Sequence, residues 1–147
     1  KIAEEAGMVK AMGNLMKPLL VKLFPEIPAD HPAMGSIVAN MAANFFGLGN
    51  AATPLGIKAM QELQLLNDNK DEASNSMVMF LAINTSSVTL ISSSTIAYRV
   101  AAGSANATEI IAPTIVATIM STAVAIISCK FLEKLPKYKR EKIEIKK

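Results

Sequence analysis

The chain has 147 residues, of which 51% are hydrophobic and only 18% are charged. Soluble domains usually contain about 25% charged residues, so the composition indicates a membrane-associated chain of one domain's length. The net charge of +3 is concentrated at the end, because residues 130–147 carry eight Lys or Arg and three Glu. A basic tail directly after an apolar run is typical of a cytoplasmic membrane flank. The acidic remainder and the few aromatic residues argue against nucleic-acid binding.

The first part of the chain predicts a helix followed by a proline-rich loop. Residues 1–24 have apolar side chains at steps of three and four, which indicates an amphipathic helix that Pro18 kinks or splits. This helix is expected either to pack in a core or to lie at a membrane interface. Asp30 is predicted to cap the next helix, with Pro32 in its first turn. His31, the single histidine, is interpreted as a loop or cap residue and not as a metal ligand.

The stretch Ala33–Ile57 carries no charged residue, yet its middle holds glycines, asparagines and a Thr-Pro pair. A helix is predicted as far as Phe46, a break at residues 47–50, and a second helix that is capped by Thr53 and ends near Leu66. Irregular backbone within a membrane is tolerated only where it faces protein or a water-filled cavity. The segment therefore predicts an interrupted helix with a polar site at membrane depth.

A second uncharged run extends over Ala73–Tyr98 and also has a polar centre. Between Asn84 and Thr95, nine of twelve residues are Asn, Ser or Thr. Hydroxyl groups facing lipid would lack partners, so they are expected to face other helices or a cavity. After a short loop, Ile110–Cys129 has 20 uncharged residues, enough to cross a hydrocarbon core of about 30 Å. It is the clearest transmembrane candidate.

The two broken segments predict a binding site for a small polar or anionic solute, made of side-chain amides and free backbone N–H groups at a helix start. Asn44 precedes Thr53 by the same nine residues that separate Asn84 from Ser93, which would fit an internal repeat. The alternative is that the glycines and hydroxyls only pack helices. The candidates for solute binding or for lining a pathway are Asn44, Gly47, Gly49, Asn50, Thr53, Asn84, Thr85, Ser86 and Ser87.

Catalytic chemistry is not expected. No nucleophile in the sequence lies beside the histidine, and the glycines do not form a phosphate-binding loop. We therefore predict no catalytic residue, no metal ligand and no cofactor, and we interpret the chain as a protein that is not an enzyme.

Residues 43–60, which read ANFFGLGNAATPLGIKAM, resemble the spore maturation protein A family of endospore-forming bacteria. Segments 22–35 and 72–91 resemble that family as well, and the likeness covers nearly all of residues 1–133. The resemblance implies an all-α fold, a polytopic membrane helical bundle of the nucleoside-recognition or gate type with interrupted or re-entrant helices. It also implies a role in dehydrating the spore core together with spore maturation protein B. The residues that match the family's signature are Asn44, Gly47, Gly49, Asn50, Thr53 and Pro54.

Together, the pattern and the resemblance predict a gate-type membrane domain over residues 1–133 and a basic cytoplasmic tail over residues 134–147. Family members usually carry further membrane segments before the point where this sequence begins. The leading hypothesis is a multi-pass protein of the cell membrane, embedded in the lipid bilayer, whose broken helices form a transporter- or channel-like site for a small polar solute. The alternatives are a membrane scaffold that acts with spore maturation protein B without transport, and a soluble helical protein with an unusually apolar core.

Overall fold

The computed structural model describes residue 16 and residues 18–136. Over this range the chain is helical and contains no strand, so the all-α prediction is confirmed. A helical stretch at residues 18–23 precedes five helices. They are α1 (Pro32–Phe45), α2 (Gly49–Leu65), α3 (Asn75–Thr85), α4 (Ser93–Ala101) and α5 (Ile111–Leu132). Most of the amphipathic helix predicted for residues 1–24, and most of the basic tail, lie outside the described residues.

The N-cap of helix α1 lies one residue later than predicted. The N-cap is His31, whose Nδ1 accepts a hydrogen bond from the Ala33 amide at 3.2 Å. Asp30 is therefore wrong as the cap, because it lies outside the position from which a side chain reaches the first free amides. Pro32 occupies the first helical turn, where its missing N–H costs no hydrogen bond. The interpretation of His31 as a cap residue is confirmed.

Helix α1 ends in a Schellman turn. The Gly47 amide donates to the Asn44 carbonyl at 2.9 Å, and the Leu48 amide donates to the Ala43 carbonyl at 2.8 Å. Gly47 has a φ of +68°, which a residue without a Cβ adopts at little cost. Gly103, with a φ of +75°, closes α4 in the same way.

Helix α2 begins earlier than the sequence predicts. Its first residue is Gly49, so Thr53 lies inside the helix and its hydroxyl donates to the Gly49 carbonyl at 3.3 Å. Pro54 is also internal, and its missing N–H leaves the Asn50 carbonyl without the usual helical donor. The predicted helix start at Thr53 is wrong, because the Schellman turn at Gly47 reverses the chain within two residues and lets the helix resume at once.

The hydrophobic core fills one half of the fold. Its side chains come from α1, α2, α3 and the stretch before α1. Ile126 and Cys129, from the second half of α5, pack against these side chains. Helix α4, in the other half, contributes no buried residue. The fold is therefore packed around the base of the hairpin and open around α4. The core side chains are Leu20, Leu23, Phe24, Ile27, Ala33, Met34, Ile37, Ala59, Leu63, Met79, Phe80 and Ile83.

Helix α5 agrees with the span predicted for residues 110–129. It has 22 residues, and at about 1.5 Å per residue it is long enough to cross the hydrocarbon core. Its one buried residue is Thr122, whereas Ile127 and Phe131 are 68% and 65% exposed. The core helix of a soluble protein would be mostly buried. Among the described residues, α5 is the one helix long and apolar enough to span a membrane, so further spans remain a prediction.

Candidate functional site

The turn between α1 and α2 lies directly against residues 86–92, the non-helical segment between α3 and α4. The Leu90 amide donates to the Phe45 carbonyl at 2.8 Å. A Cβ built on Gly47 would lie 1.9 Å from the Ile91 carbonyl oxygen. The two broken stretches therefore meet through their backbones, and the contact requires a residue without a side chain.

Three asparagine side chains connect the hairpin to α3 beside this contact. Asn40 Nδ2 donates to the Ala52 carbonyl oxygen at 2.8 Å and so crosses from α1 to α2. Asn44 Nδ2 donates to Asn40 Oδ1 at 3.3 Å and to Asn84 Oδ1 at 2.8 Å. Asn40 is 1% exposed, while Asn44 and Asn84 are half-buried. We call these three residues the asparagine network.

Gly56 of α2 leaves the space that the asparagine network fills. A Cβ at this position would lie 3.0 Å from Asn40 Nδ2 and 3.9 Å from Asn84 Nδ2. Sequence reasoning missed Asn40 as a site residue because it lies in the middle of a regular helix. The available signal was its spacing of four from Asn44, which places both amides on one helix face.

The two broken segments present their asparagines at the same position. Asn44 is the next-to-last residue of α1, and Asn84 is the next-to-last residue of α3. The helices that follow begin at different distances, at Gly49 and at Ser93. The internal repeat predicted from the spacing of Thr53 and Ser93 would require the two following helices to start at equivalent positions, and they do not. Only the positions of the two asparagines correspond.

Helix α5 holds the non-helical segment in place. The Thr122 hydroxyl donates to the Ser86 carbonyl, and the Thr89 amide donates to Thr118 Oγ1 at 3.3 Å. Thr122 follows Ile111, the first residue of α5, by about 17 Å along the helix axis, near the midpoint of this 22-residue helix. The contact between the two breaks therefore lies level with the middle of α5.

Three of the predicted site residues lie away from the asparagine network. They occupy the start of α2, are exposed, and make none of the network's hydrogen bonds. A Cβ built on the glycine among them would contact nothing within 4 Å. Their position follows from the early start of α2, which turns this first part of the helix toward the outside. These residues are Gly49, Asn50 and Thr53.

The hydroxyl residues at the end of α3 mostly bond to their own chain segment. Thr85 donates to the Leu81 carbonyl, and Ser86 donates to the Ala82 carbonyl at 2.7 Å. Ser87 is half-buried, and its carbonyl accepts from the Thr89 hydroxyl at 3.4 Å. The structure thus brings Asn44, Gly47 and Asn84 together, whereas the side chains of Thr85, Ser86 and Ser87 do not join the network.

The asparagine network is electrically neutral. Its three members, Asn40, Asn44 and Asn84, have uncharged amide side chains. No group of three or more His, Cys, Asp or Glu suited to a metal occurs in residues 18–136. The arrangement can form hydrogen bonds with a polar group.

Comparisons with known proteins connect this site to a family. The profile of the Gate family, described as nucleoside recognition, matches residues 1–105, a range that contains the whole asparagine network. Over 142 residues the chain is 51% identical to spore maturation protein A of Bacillus subtilis (strain 168). That alignment covers 97% of this chain and 70% of the relative. No solved structure matches the chain significantly.

Proposed function

The chain belongs to the Gate family and to the spore maturation protein A family, and on that basis we propose that it is a membrane protein of spore maturation. In this proposal the hairpin of α1 and α2 and the break between α3 and α4 form a polar site near the middle of the bilayer. The site would act on a small polar solute in a transporter- or channel-like manner. It has no catalytic role.

The position of the site level with the middle of α5 is the observation that carries the proposal. If α5 spans the membrane, the Thr122 contact to the Ser86 carbonyl lies near the bilayer midplane. The backbone contact from Phe45 to Leu90 and the hydrogen bond from Asn44 to Asn84 then lie at a similar depth. Irregular backbone at that depth is stable only when protein or a water-filled cavity surrounds it.

The hairpin of α1 and α2 fits a re-entrant element, because it returns to the side from which it starts. Glu26, just before α1, accepts a hydrogen bond from Ser76 at the start of α3 at 2.9 Å. Helices α1 and α3 therefore begin at the same end of the fold, and α2 must lead back to it. The charges of α2 occur only in its second half, where Lys58 and Glu62 lie 3.9 Å apart. This half would lie nearest the membrane surface.

The basic residues at the end of α5 and after it support one orientation. Lys130 lies in the last turn of α5 and Lys134 just after the helix, and cations concentrate on the cytoplasmic side of membrane proteins. The half of the fold that contains the core packs against Ile126 and Cys129, at that same end of α5. We therefore propose a cytoplasmic tail, with the packed half of the domain on the cytoplasmic side and the α4 side facing outward.

The depth can be measured directly because the sequence contains no tryptophan. Single tryptophans would be placed at Leu48→Trp in the hairpin turn and at Val124→Trp in the middle of α5, both exposed positions. Ala105→Trp, in the loop before α5, is the matched control. We expect deeply brominated lipids to quench the first two strongly and the control weakly. A hairpin-turn tryptophan that is quenched only as weakly as the loop tryptophan would contradict a re-entrant hairpin.

The role of the polar site is tested in sporulating cells that depend on this protein. We expect Asn84→Leu to raise the water content of the spore core and to lower heat resistance, because the substitution removes the amide that faces Asn44. Asn50→Leu is the control, since it makes the same change at an exposed position outside the network. If the Asn84→Leu protein accumulates normally and its spores match wild type, the polar-site proposal is wrong.

A scaffold role with spore maturation protein B is the second candidate. Helix α4 favours it, because none of its residues is buried while Tyr98 and Val100 are 76% and 62% exposed. A partner protein could cover this surface. In that case, substitutions on α4 would impair spores and partner association, whereas Asn84→Leu would leave both unchanged.

A further inference from the structure

We infer that the asparagine network recognises an uncharged solute through an acceptor and a donor on two side chains that are hydrogen-bonded to each other, Asn44 Oδ1 and Asn84 Nδ2. The solute would carry a donor beside an acceptor, as a carboxamide does. The inference rests on the proposed function, because it concerns the solute of the same site. It adds the chemical class of that solute and the residue that fixes the polarity of the site.

The polarity begins at a backbone carbonyl. The Ala52 carbonyl oxygen can only accept a hydrogen bond, so the side-chain group of Asn40 that lies 2.8 Å away must be its nitrogen. The opposite orientation of the amide would place two oxygens against each other. Asn40 must therefore direct its oxygen toward Asn44. Asn40 is a positioning residue, since it acts on the site through Asn44.

The same constraint passes along the network to Asn84. Because Asn40 presents an oxygen, the facing group of Asn44 must be its nitrogen, at 3.3 Å. That nitrogen also reaches Asn84 at 2.8 Å, so Asn84 must present its oxygen there. Both N–H groups of Asn44 are then used, and every amide orientation in the network follows from the Ala52 carbonyl.

Two polar atoms of the network keep free hydrogen-bonding capacity. Asn44 Oδ1 and Asn84 Nδ2 make no hydrogen bond within residues 18–136. Among the described residues, the side-chain atoms that are fully buried and lack a hydrogen-bond partner are Glu62 Oε2 and Arg99 Nε. The two atoms of the network are not among them. Each therefore keeps some exposed surface on a half-buried side chain. A solute that reaches both atoms would find an acceptor on Asn44 and a donor on Asn84, and the N–H and C=O groups of a carboxamide can bond to both.

Ions are a poor match for this arrangement. An anion would meet the Asn44 oxygen, and a cation would meet the Asn84 N–H groups, each of which repels it. The uncharged amides supply no charge that would offset the cost of removing an ion from water. The site is thus expected to select by hydrogen-bond pattern and against charge.

Three small probes of nearly equal shape test this selectivity on the purified full chain in detergent micelles. Acetamide offers a donor and an acceptor, acetate offers acceptors and a negative charge, and guanidinium offers donors and a positive charge. The readout is the shift of the Asn84 side-chain amide resonance during titration with each probe. We expect acetamide to shift it with about tenfold higher apparent affinity than either ion, the factor that one lost hydrogen bond produces.

Asn84→Asp changes the free donor without breaking the network. One carboxylate oxygen still accepts from Asn44, while the other replaces Nδ2. We expect this variant to bind guanidinium about tenfold better than acetamide, which reverses the wild-type order. Because its Asn84 amide is absent, the Asn44 side-chain amide resonance serves as the readout. Asn44→Asp should not produce the reversal, since it removes the donor to both neighbours. Asn106→Asp, in the exposed loop before α5, is the control and should keep the wild-type order.

Each other result counts against the inference. It is overturned if an ion binds wild type as well as acetamide does, if no probe shifts the amide of the folded protein, or if Asn84→Asp keeps the wild-type order. These outcomes are separate from failure of the proposed function. Acetamide selectivity in micelles combined with a shallow hairpin turn in the quenching experiment would leave the polarity intact and refute the membrane-depth proposal.

Discussion

Gly47→Ala is expected to lower the free energy of unfolding by about 4 kcal/mol, the sum of backbone strain and a direct clash. Gly47 has a φ of +68°, where an L-residue is strained. Its new Cβ would also lie 1.9 Å from the Ile91 carbonyl oxygen. Backbone cannot rotate away as a side chain can, so the two broken segments must separate. The Phe45 to Leu90 hydrogen bond should be lost with them.

Gly103→Ala is the matched control for this prediction. Gly103 closes α4 with the same Schellman turn at a φ of +75°, but a Cβ there would contact nothing within 4 Å. We expect this substitution to cost only about 1 kcal/mol, the backbone term alone. Thermal unfolding of both variants in the same detergent measures the difference. Equal losses for the two variants would show that the contact between the breaks adds nothing to stability.

Asn40→Leu is expected to lower the free energy of unfolding by about 3 kcal/mol, because it removes two hydrogen bonds from a buried position. Asn40 is 1% exposed and connects the Ala52 carbonyl to Asn44. Leucine is similar in size and cannot make either bond. One N–H of Asn44 then remains without its partner, and the branched side chain must fit beside Gly56.

The Asn40→Leu measurement needs a control that changes an asparagine outside the network. Asn50→Leu makes the identical substitution at an exposed position near the start of α2. We expect it to change the free energy of unfolding by less than about 0.5 kcal/mol, as surface substitutions usually do. If Asn40→Leu lowers the free energy of unfolding no more than the control does, the hydrogen bonds of Asn40 do not stabilise the packing of α1 on α2.

Local sequence chemistry predicts most of the helical elements. Pro32 and the glycine turn at Gly47 bound α1, and the run of uncharged residues predicts α5 almost to its ends. An interruption of the uncharged run Ala73–Tyr98 is also predicted, since Asn, Ser and Thr are crowded between Asn84 and Thr95. Each of these signals lies within one continuous stretch of sequence and needs no contact with a distant part of the chain.

The start of α2 shows where local chemistry misleads. Thr53 and Pro54 form a strong local signal for a helix start, yet the helix begins at Gly49. The Schellman turn reverses the chain early, and packing of α2 on α1 then favours a longer helix. The polar side chains of Gly49–Thr53 consequently lie outside the asparagine network.

The sequence alone determined that the chain is helical, that two of its segments are interrupted and that α5 is apolar along its length, because composition and short-range periodicity set all three. Only the tertiary structure decided which polar residues meet. The bond from Asn44 to Asn84 joins residues 40 positions apart, and that from Thr122 to Ser86 joins residues 36 apart. A local pattern shows that a residue can form a hydrogen bond, but the partner depends on how separate helices pack, which also brought Asn40 and Gly56 into the site.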